Sequence, residues 1–244
     1  MGYFEGTYIK CSNRTESIAF IFGSCDNKSF VQIITKDNSS ILEFDEPTPL
    51  RYDAMGPFKF LPFMECKHKV TSMGHKVSGK VAINGHTYDF DNGIGYIEGD
   101  RGHSFPKKDF WTQYNTFADG ELFSISASCA KIPYLGMKFT GTICFIIYKG
   151  KEIRLATYKG ARVREFTESK LVVIQRHGRK KLVLEITVLE NKNMQSLAAP
   201  NKAKMSRTIK ETVQCKMNYK LVRGKNILFD VTVDNAAFEW DNTL

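Results

Sequence analysis

Apolar and polar residues alternate along most of this chain, and a period of two is the pattern of half-buried β-strands. Residues 182–188 place Leu, Leu, Ile and Val at every second position, and residues 227–233 do the same with Ile, Phe, Val and Val. About fifteen such runs follow one another at spacings of about 8–12 residues, as in a sandwich or a barrel. The sequence therefore predicts an all-β, mostly antiparallel fold with little helix.

Turn signals separate the strand candidates. Asn84-Gly85 lies between two short alternating runs and predicts a two-residue hairpin. Lys149-Gly150 separates two further runs, and the basic stretch 176–181 is typical of a solvated hairpin tip. Residues 46–62 contain four of the seven prolines, which predicts an irregular loop or a sheet edge.

Two stretches near the C-terminal end lack the alternation. Residues 191–204 show no periodicity, and we expect them to form a connector. The polar stretch 201–211 is the best helix candidate in the chain, as either a short helix or a loop.

The composition is that of an ordinary folded protein. The chain has 244 residues, of which 42% are hydrophobic and 25% charged, so it can bury a core without disulfides. The six cysteines include no Cys-x-x-Cys pair and the histidines lack zinc-site spacing, so we expect no metal. We also expect no signal peptide, and no apolar run approaches the length of about 20 residues that spans a membrane. A soluble, cytoplasmic protein with reduced thiols is the expectation.

The net charge of +9 leaves several partners open. A basic balance suits nucleic acid, an anionic membrane or an anionic ligand. The excess charge is scattered along the chain, which favours solvated surface charges, and we expect no nucleic-acid partner.

One segment, residues 96–115, concentrates groups that carry chemistry. It holds glycines, the carboxylates of Glu98 and Asp100, a histidine and five aromatic residues. On a strand, Trp111, Gln113 and Asn115 would share one face, with Phe110, Thr112 and Tyr114 on the other. Buried amides need partners, so this face either ties down a loop or lines a ligand cavity. The residues alone favour neither alternative.

The same segment resembles the hallmark stretch of the tocopherol cyclase family. The resemblance rests on Phe105-Pro106-Lys107 followed by Phe110-Trp111-x-Gln113-x-Asn115, with Asp100-x-Gly102 before them. Weaker similarities are Phe4-Glu5-Gly6-x-Tyr8 and Leu197-x-Ala199-Pro200. This sequence departs from the family at Arg101 and Thr7, where the family has Trp, and at Tyr114, where the plant enzymes have Cys. It is also much shorter than the plant cyclases and similar to short bacterial members.

The resemblance implies a lipocalin-like architecture of two β halves packed together. The halves would be residues 1–118, carrying the motif, and residues 119–244, although one continuous domain over 1–244 fits as well. The implied reaction is an isomerisation that closes a ring on a lipophilic prenylated quinol or related alkene. A proton goes to the alkene, and the phenol oxygen captures the cation, without a redox cofactor or metal.

The resemblance also implies roles for particular residues. Asp100 and Glu98 would be the catalytic acids, each needing a pKa raised by burial to hold a proton near neutrality. The substrate-binding residues would offer aromatic faces, amides and a guanidinium; they are Trp111, Gln113, Asn115, Phe105, Tyr8, Tyr114 and Arg101. The partner would be a lipophilic small molecule, with peripheral membrane contact.

Three other interpretations remain open. Residues 98–102 would form a turn in which the carboxylates bind backbone amides and Arg101, making the motif structural. The protein would otherwise be a non-catalytic lipocalin-like binder of a hydrophobic molecule. The third alternative is a basic surface for nucleic acid or anionic lipid.

Overall fold

The computed structural model describes residues 3–45, 66–118, 120–134, 137–202 and 204–242. Within these ranges the chain forms strands, apart from one 3-10 turn at Thr157–Lys159. The strands are β1 (Phe4–Ser12), β2 (Ser17–Cys25), β3 (Lys28–Ile34), β4 (Ser39–Phe44), β5 (Cys66–Val77), β6 (Lys80–Ile83), β7 (His86–Asp89), β8 (Gly93–Gly102), β9 (Lys108–Ala118), β10 (Glu121–Tyr134), β11 (Met137–Tyr148), β12 (Lys151–Ala156), β13 (Arg162–Phe166), β14 (Lys170–His177), β15 (Lys180–Glu190), β16 (Gln195–Asn201), β17 (Lys204–Arg223) and β18 (Asn226–Asn242). The all-β prediction is confirmed.

The strands form three antiparallel sheets. The six-stranded sheet has the order β4-β3-β2-β1-β8-β5. The ten-stranded sheet has the order β12-β11-β10-β9-β18-β17-β15-β14-β13, with β16 paired to β17 outside this path. The third sheet is the short hairpin of β6 and β7. No described helix has the length and hydropathy that a membrane-spanning helix needs.

The predicted hairpins are confirmed by their backbone angles. Asn84 and Gly85 join β6 to β7 with φ of 52° and 79°, the left-handed pair that a type I′ turn requires. Lys149 and Gly150 do the same between β11 and β12, with φ of 48° and 66°. The basic stretch 176–181 contains the turn between β14 and β15, as expected for a solvated tip.

The two stretches without alternation are strands, so the predicted connector and helix were wrong. β16 lies inside residues 191–204, and β17 begins at Lys204 and continues through 211. On β17 the buried positions Ile209, Glu211 and Val213 alternate with neighbours in the usual way, except that Thr212 is also buried. The apolar–polar alternation of β17 is interrupted in the sequence, because its inward-facing position 211 is a glutamate. The proline-rich stretch 46–62 lies outside the described residues.

The described chain divides into two compact units. Unit 1 comprises Met1–Pro106 and Gln195–Val213, and unit 2 comprises Lys107–Met194 and Gln214–Leu244. Each unit is therefore discontinuous in sequence, and the boundary predicted between residues 118 and 119 falls between β9 and β10 of unit 2. Whether residues 1–118 and 119–244 act as domains stays a prediction.

Unit 2 has an ordinary apolar core. Phe110, Ile125, Leu184 and Phe238 are among its fully or almost fully buried residues. The buried Thr112 hydroxyl donates to the carbonyl of Ala237 at 2.7 Å. Burial of each large apolar side chain of this core stabilises the fold by about 1.5–3 kcal/mol.

The interior of unit 1 is different. One of its apolar clusters contains the buried residues Phe4, Cys25 and Phe30, and Phe105 packs on Phe4 edge-on with ring centroids 5.1 Å apart. The Phe30 ring lies over Gly23, where a Cβ would be 2.3 Å from Cζ of the ring. Beyond this cluster the same interior holds ionisable side chains.

Candidate active site

Three neighbouring strands of the six-stranded sheet bring the ionisable side chains of unit 1 together. β1 pairs with β8 so that Tyr8 lies opposite Glu98 and Lys10 opposite Tyr96. β5 pairs with β8 so that His68 lies opposite Asp100. Opposite residues, and residues two apart on one strand, share a face of a sheet. We call the set on this face, with Glu211 of β17, the acid–tyrosine cluster; its members are Tyr8, Lys10, His68, Tyr96, Glu98, Asp100 and Glu211.

Most of this cluster is shielded from solvent. Tyr96 is completely buried, Lys10 is 1% exposed and Glu211 is 2% exposed. Glu98 is 5% exposed, so two carboxyl groups and an ammonium group share one interior. Buried charges are costly unless they are paired or neutralised, and such groups cluster at functional sites.

His68 lies between two carboxyl groups. Its Nδ1 is 3.1 Å from Oδ1 of Asp100, and its Nε2 is 3.3 Å from Oε2 of Glu98. The first contact is a hydrogen bond, whereas the second has the distance of an ion pair without hydrogen-bond alignment. Burial lowers the pKa of His68, but the charges of Glu98 and Asp100 outweigh it and raise this pKa to about 9. His68 is therefore an imidazolium at neutral pH.

Glu98 is held from a second side by Tyr96. The Tyr96 hydroxyl donates to Oε2 of Glu98 at 2.5 Å, which is a short hydrogen bond between oxygens. A hydrogen-bond donor and a cation on one carboxyl group both favour its ionised form. These contacts make Glu98 the fixed negative charge of the cluster.

Glu211 has the opposite environment. Burial raises the pKa of its carboxyl group to about 8; Tyr8 and Lys10 act against this rise, and the charge of Glu98 adds to it. The pKa of the neighbouring Tyr8 is raised well above 10 by burial and by the charges of Glu211 and Glu98. Both groups therefore hold their protons at neutral pH. A buried carboxylic acid beside a hydroxyl group is a suitable general acid.

The predicted turn at residues 98–102 does not form. These residues belong to β8, where Arg101 points to the face opposite Glu98 and Asp100 and forms an ion pair with Glu5. The Arg101 guanidinium also lies over the Tyr3 ring, with its Cζ 5.8 Å from the ring centroid. The sheet therefore separates the Arg101 side chain from the carboxyl groups of Glu98 and Asp100, which the predicted turn would have paired with it.

The remaining predicted site residues lie in different places. Phe105 is in unit 1, in the apolar cluster beside Phe4. Trp111, Gln113 and Asn115 are buried on one face of β9 in unit 2, as the alternation indicated. Tyr114 lies on the other face and stacks on Tyr219 with ring centroids 6.4 Å apart.

Gln113 is unusual among these residues. Its side chain is completely buried, and within the described part of the chain neither its Nε2 nor its Oε1 has a hydrogen-bond partner. An unsatisfied buried amide costs about 1–3 kcal/mol. Such a group is retained where something other than the chain satisfies it, such as water or a ligand.

Sequence reasoning found Tyr8, Glu98 and Asp100 but missed Lys10, His68, Tyr96 and Glu211. Zinc-site spacing, the pattern sought among the histidines, does not detect a histidine that lies between two carboxyl groups. Lys10 and Tyr96 carry a usable signal, since each occupies an inward position of an alternating strand. Glu211 had no such signal while its strand was interpreted as a helix or loop.

Among the residues that the structure describes, one group of three could hold a metal ion. The donor atoms of His68, Glu98 and Asp100 lie within 4.8 Å of one another. A metal ion there would have to displace the imidazolium proton that both carboxyl groups stabilise. The two nitrogens of His68 also face different carboxyl groups, which suits a protonated ring better than a shared ion.

Comparison with known proteins gives the family. No curated protein matches the sequence. Kievitone hydratase from Nectria haematococca is similar in structure, with 8% identity and a TM-score of 0.45 over 98% of this chain and 88% of that one. A protein assigned as AttH from Nitrosomonas europaea has 10% identity and a TM-score of 0.46 over 99% and 93%. Both are too distant to transfer an activity.

The family match covers most of the chain. The model of the tocopherol cyclase-like family matches residues 37–240, which include His68, Glu98, Asp100 and Glu211 of the acid–tyrosine cluster. They also include the segment 105–115 on which the resemblance was based. The chain belongs to the tocopherol cyclase-like family.

Proposed function

We propose that this protein is an enzyme that closes a ring on a lipophilic prenylated quinol or a related alkene by acid-initiated cyclisation. The observation that carries the proposal is the acid–tyrosine cluster, in which Glu211 lies beside Tyr8 and Glu98 inside unit 1. Protonation of an alkene needs an acid that keeps its proton at neutral pH in a water-poor site. Burial gives the Glu211 carboxyl group that property.

Glu211 is the proposed proton donor. Its O–H bond breaks as the π electrons of the alkene form a new C–H bond, leaving a tertiary carbocation and the Glu211 carboxylate. The phenol oxygen then forms a C–O bond to the cation and loses its proton. Tyr8 relays this proton back to Glu211, so the reaction is an isomerisation that regenerates the acid.

Glu98 is the proposed electrostatic stabiliser of the cation. Its carboxylate is fixed by Tyr96 at 2.5 Å and by His68 at 3.3 Å, so its charge is in place before the substrate is protonated. Preorganised charge of this kind is commonly the largest contribution to a rate enhancement. Asp100 has a positioning role, because it holds Nδ1 of His68.

This assignment changes the roles expected for the two carboxylates of β8. Glu98 and Asp100 were expected to be the acids, whereas both carboxyl groups contact the His68 ring. Phe105 remains a proposed substrate-binding residue of unit 1. For Trp111, Gln113, Asn115, Tyr114 and Arg101, substrate binding stays a prediction.

A second candidate function is non-catalytic binding of a hydrophobic molecule that has a polar end. The buried Gln113 amide favours it, because both of its polar atoms lack partners among the described residues. A ligand that both accepts and donates a hydrogen bond would satisfy this amide.

Turnover of a panel of prenylated quinols by the wild type and by Glu211→Gln separates these functions. Loss of a general acid lowers kcat by about 10²–10⁴-fold. Glu43→Gln changes an exposed carboxyl group of β4 and should retain the wild-type rate. The proposal fails if E211Q turns over as fast as the wild type. Tight quinol binding without product would support the binding function instead.

A further inference from the structure

The end of the β10–β11 hairpin extends beyond the strands on either side of it. The pairing of β9 with β10 reaches Ala130, and the pairing of β12 with β11 starts at Ile143. Beyond these positions the described residues of β10 and β11 pair with each other. We call this two-stranded part the β10–β11 tip; its described residues used here are Lys131, Ile132, Met137, Lys138 and Phe139.

One face of the β10–β11 tip is apolar and exposed. Ile132 lies directly opposite Phe139, so their side chains share a face, and Met137 is two residues from Phe139 on the same strand. These side chains are 36%, 41% and 71% exposed. Ile132 also packs over Gly141, where an added Cβ would be 2.5 Å from Cδ1 of Ile132.

The other face of the β10–β11 tip is basic. Lys131 and Lys138 alternate with the apolar residues, and Lys131 donates to the Thr140 hydroxyl at 2.6 Å. The charged residues of the surrounding sequence are all basic. Residues 122–151 contain four lysines and no Asp or Glu.

Together these features match the chemistry of an anionic membrane surface. Exposed apolar side chains gain free energy by entering the boundary between headgroups and acyl chains. Lysines on the opposite face of the same tip add electrostatic attraction to anionic headgroups, which acts over a distance of about 10 Å at 0.1 M salt. A neutral apolar partner would offer no negative charge to the lysines, and an acidic soluble partner would leave the apolar face exposed to water.

We propose that the β10–β11 tip is a docking surface for bilayers that contain anionic lipids. The surface would bring the protein to the phase where lipophilic alkenes dissolve. It does not depend on the proposed chemistry, because docking is measured without turnover.

The test is co-sedimentation of the full chain with vesicles of phosphatidylcholine, alone or with about one-third phosphatidylglycerol. Binding should be strong only to the anionic vesicles and should weaken as salt rises from about 0.1 M to 0.5 M. Met137→Glu with Phe139→Glu should weaken it by about tenfold or more. Lys138→Gln should weaken it about fivefold.

Leu189→Glu with Ile227→Glu is the matched control, because it makes the same charge change at side chains that are 50% and 57% exposed elsewhere in unit 2. The control should bind like the wild type, and thermal unfolding should show that both double variants fold. Equal vesicle binding by M137E/F139E and the wild type would overturn the proposal. A lipid-free dimer that M137E/F139E abolishes would also overturn it, since a second copy would then cover the tip.

Discussion

Glu211 and His68 have raised pKa values for opposite reasons. Burial favours the neutral acid at Glu211, whereas the two carboxyl groups favour the charged ring at His68. In both cases the folded protein binds a proton more tightly than the unfolded chain does. Protons taken up on folding make the stability of unit 1 depend on pH.

For Glu211 the dependence follows from a pKa of about 8 in the fold against an ordinary value of 4.5. Its contribution is fully present below pH 4.5 and is lost as pH rises through 8. Glu211→Gln keeps a neutral side chain at every pH. We expect wild type and variant to be equally stable near pH 4.5, and the variant to be more stable above pH 8, by chemical denaturation. A constant difference between the two across this range would contradict a raised pKa.

For His68 the dependence lies at higher pH. Its stabilising charge is fully present below pH 6.5 and is lost as pH rises through about 9. His68→Gln cannot carry this charge, so it should destabilise the protein most below pH 6.5 and progressively less toward pH 9. Urea titrations of both proteins measure the effect, with exposed His177→Gln as the control. If the loss in H68Q grows with pH, His68 is not charged in the fold.

At the scale of elements, buried glutamines join strands that are not neighbours in a sheet. In unit 1 the Gln32 amide donates to the carbonyl of Ala198 at 2.9 Å and accepts from its N–H at 2.9 Å. In unit 2 the Gln175 amide accepts from the N–H of Ala156 at 2.9 Å and donates to the carbonyl of Arg154 at 3.1 Å. Each glutamine satisfies two backbone groups that have no ladder partner there.

Gln32→Leu should therefore lower the free energy of unfolding by about 1–3 kcal/mol, because both backbone groups of Ala198 lose their partner. Gln195→Ala removes an exposed contact, in which the Gln195 amide donates to the carbonyl of Lys36 at 3.3 Å. The control should change stability by about 0.5 kcal/mol or less. Equal effects from the two substitutions in urea unfolding would show that the bridge to β16 is unimportant.

The same elements show where sequence patterns succeed. Hairpins such as Asn84-Gly85 are predictable because the turn needs positive φ at both residues, and few residue types accept it. β17 was missed because Glu211 occupies an inward position, and a pattern of apolar residues cannot detect a buried acid. Local rules fail here at the position of the proposed general acid.

At the scale of the whole molecule, the two units differ in their interiors. Unit 2 surrounds a continuous apolar core, whereas unit 1 encloses carboxyl, hydroxyl, imidazole and ammonium groups. The motif at residues 96–115 includes part of β8 and identifies Glu98 and Asp100 as candidate site residues. Glu211 comes from the return of the chain to unit 1 through Gln195–Val213, a topology that no local pattern reveals.

The most direct test of the central claim is the reaction of a prenylated quinol in D₂O, followed by mass spectrometry of the product. If the chain delivers a proton from an exchangeable acid to the alkene, each product molecule should carry one deuterium bound to carbon. E211Q should form little of this product, and E43Q should form as much as the wild type. A cyclised product without carbon-bound deuterium would contradict proton-initiated ring closure.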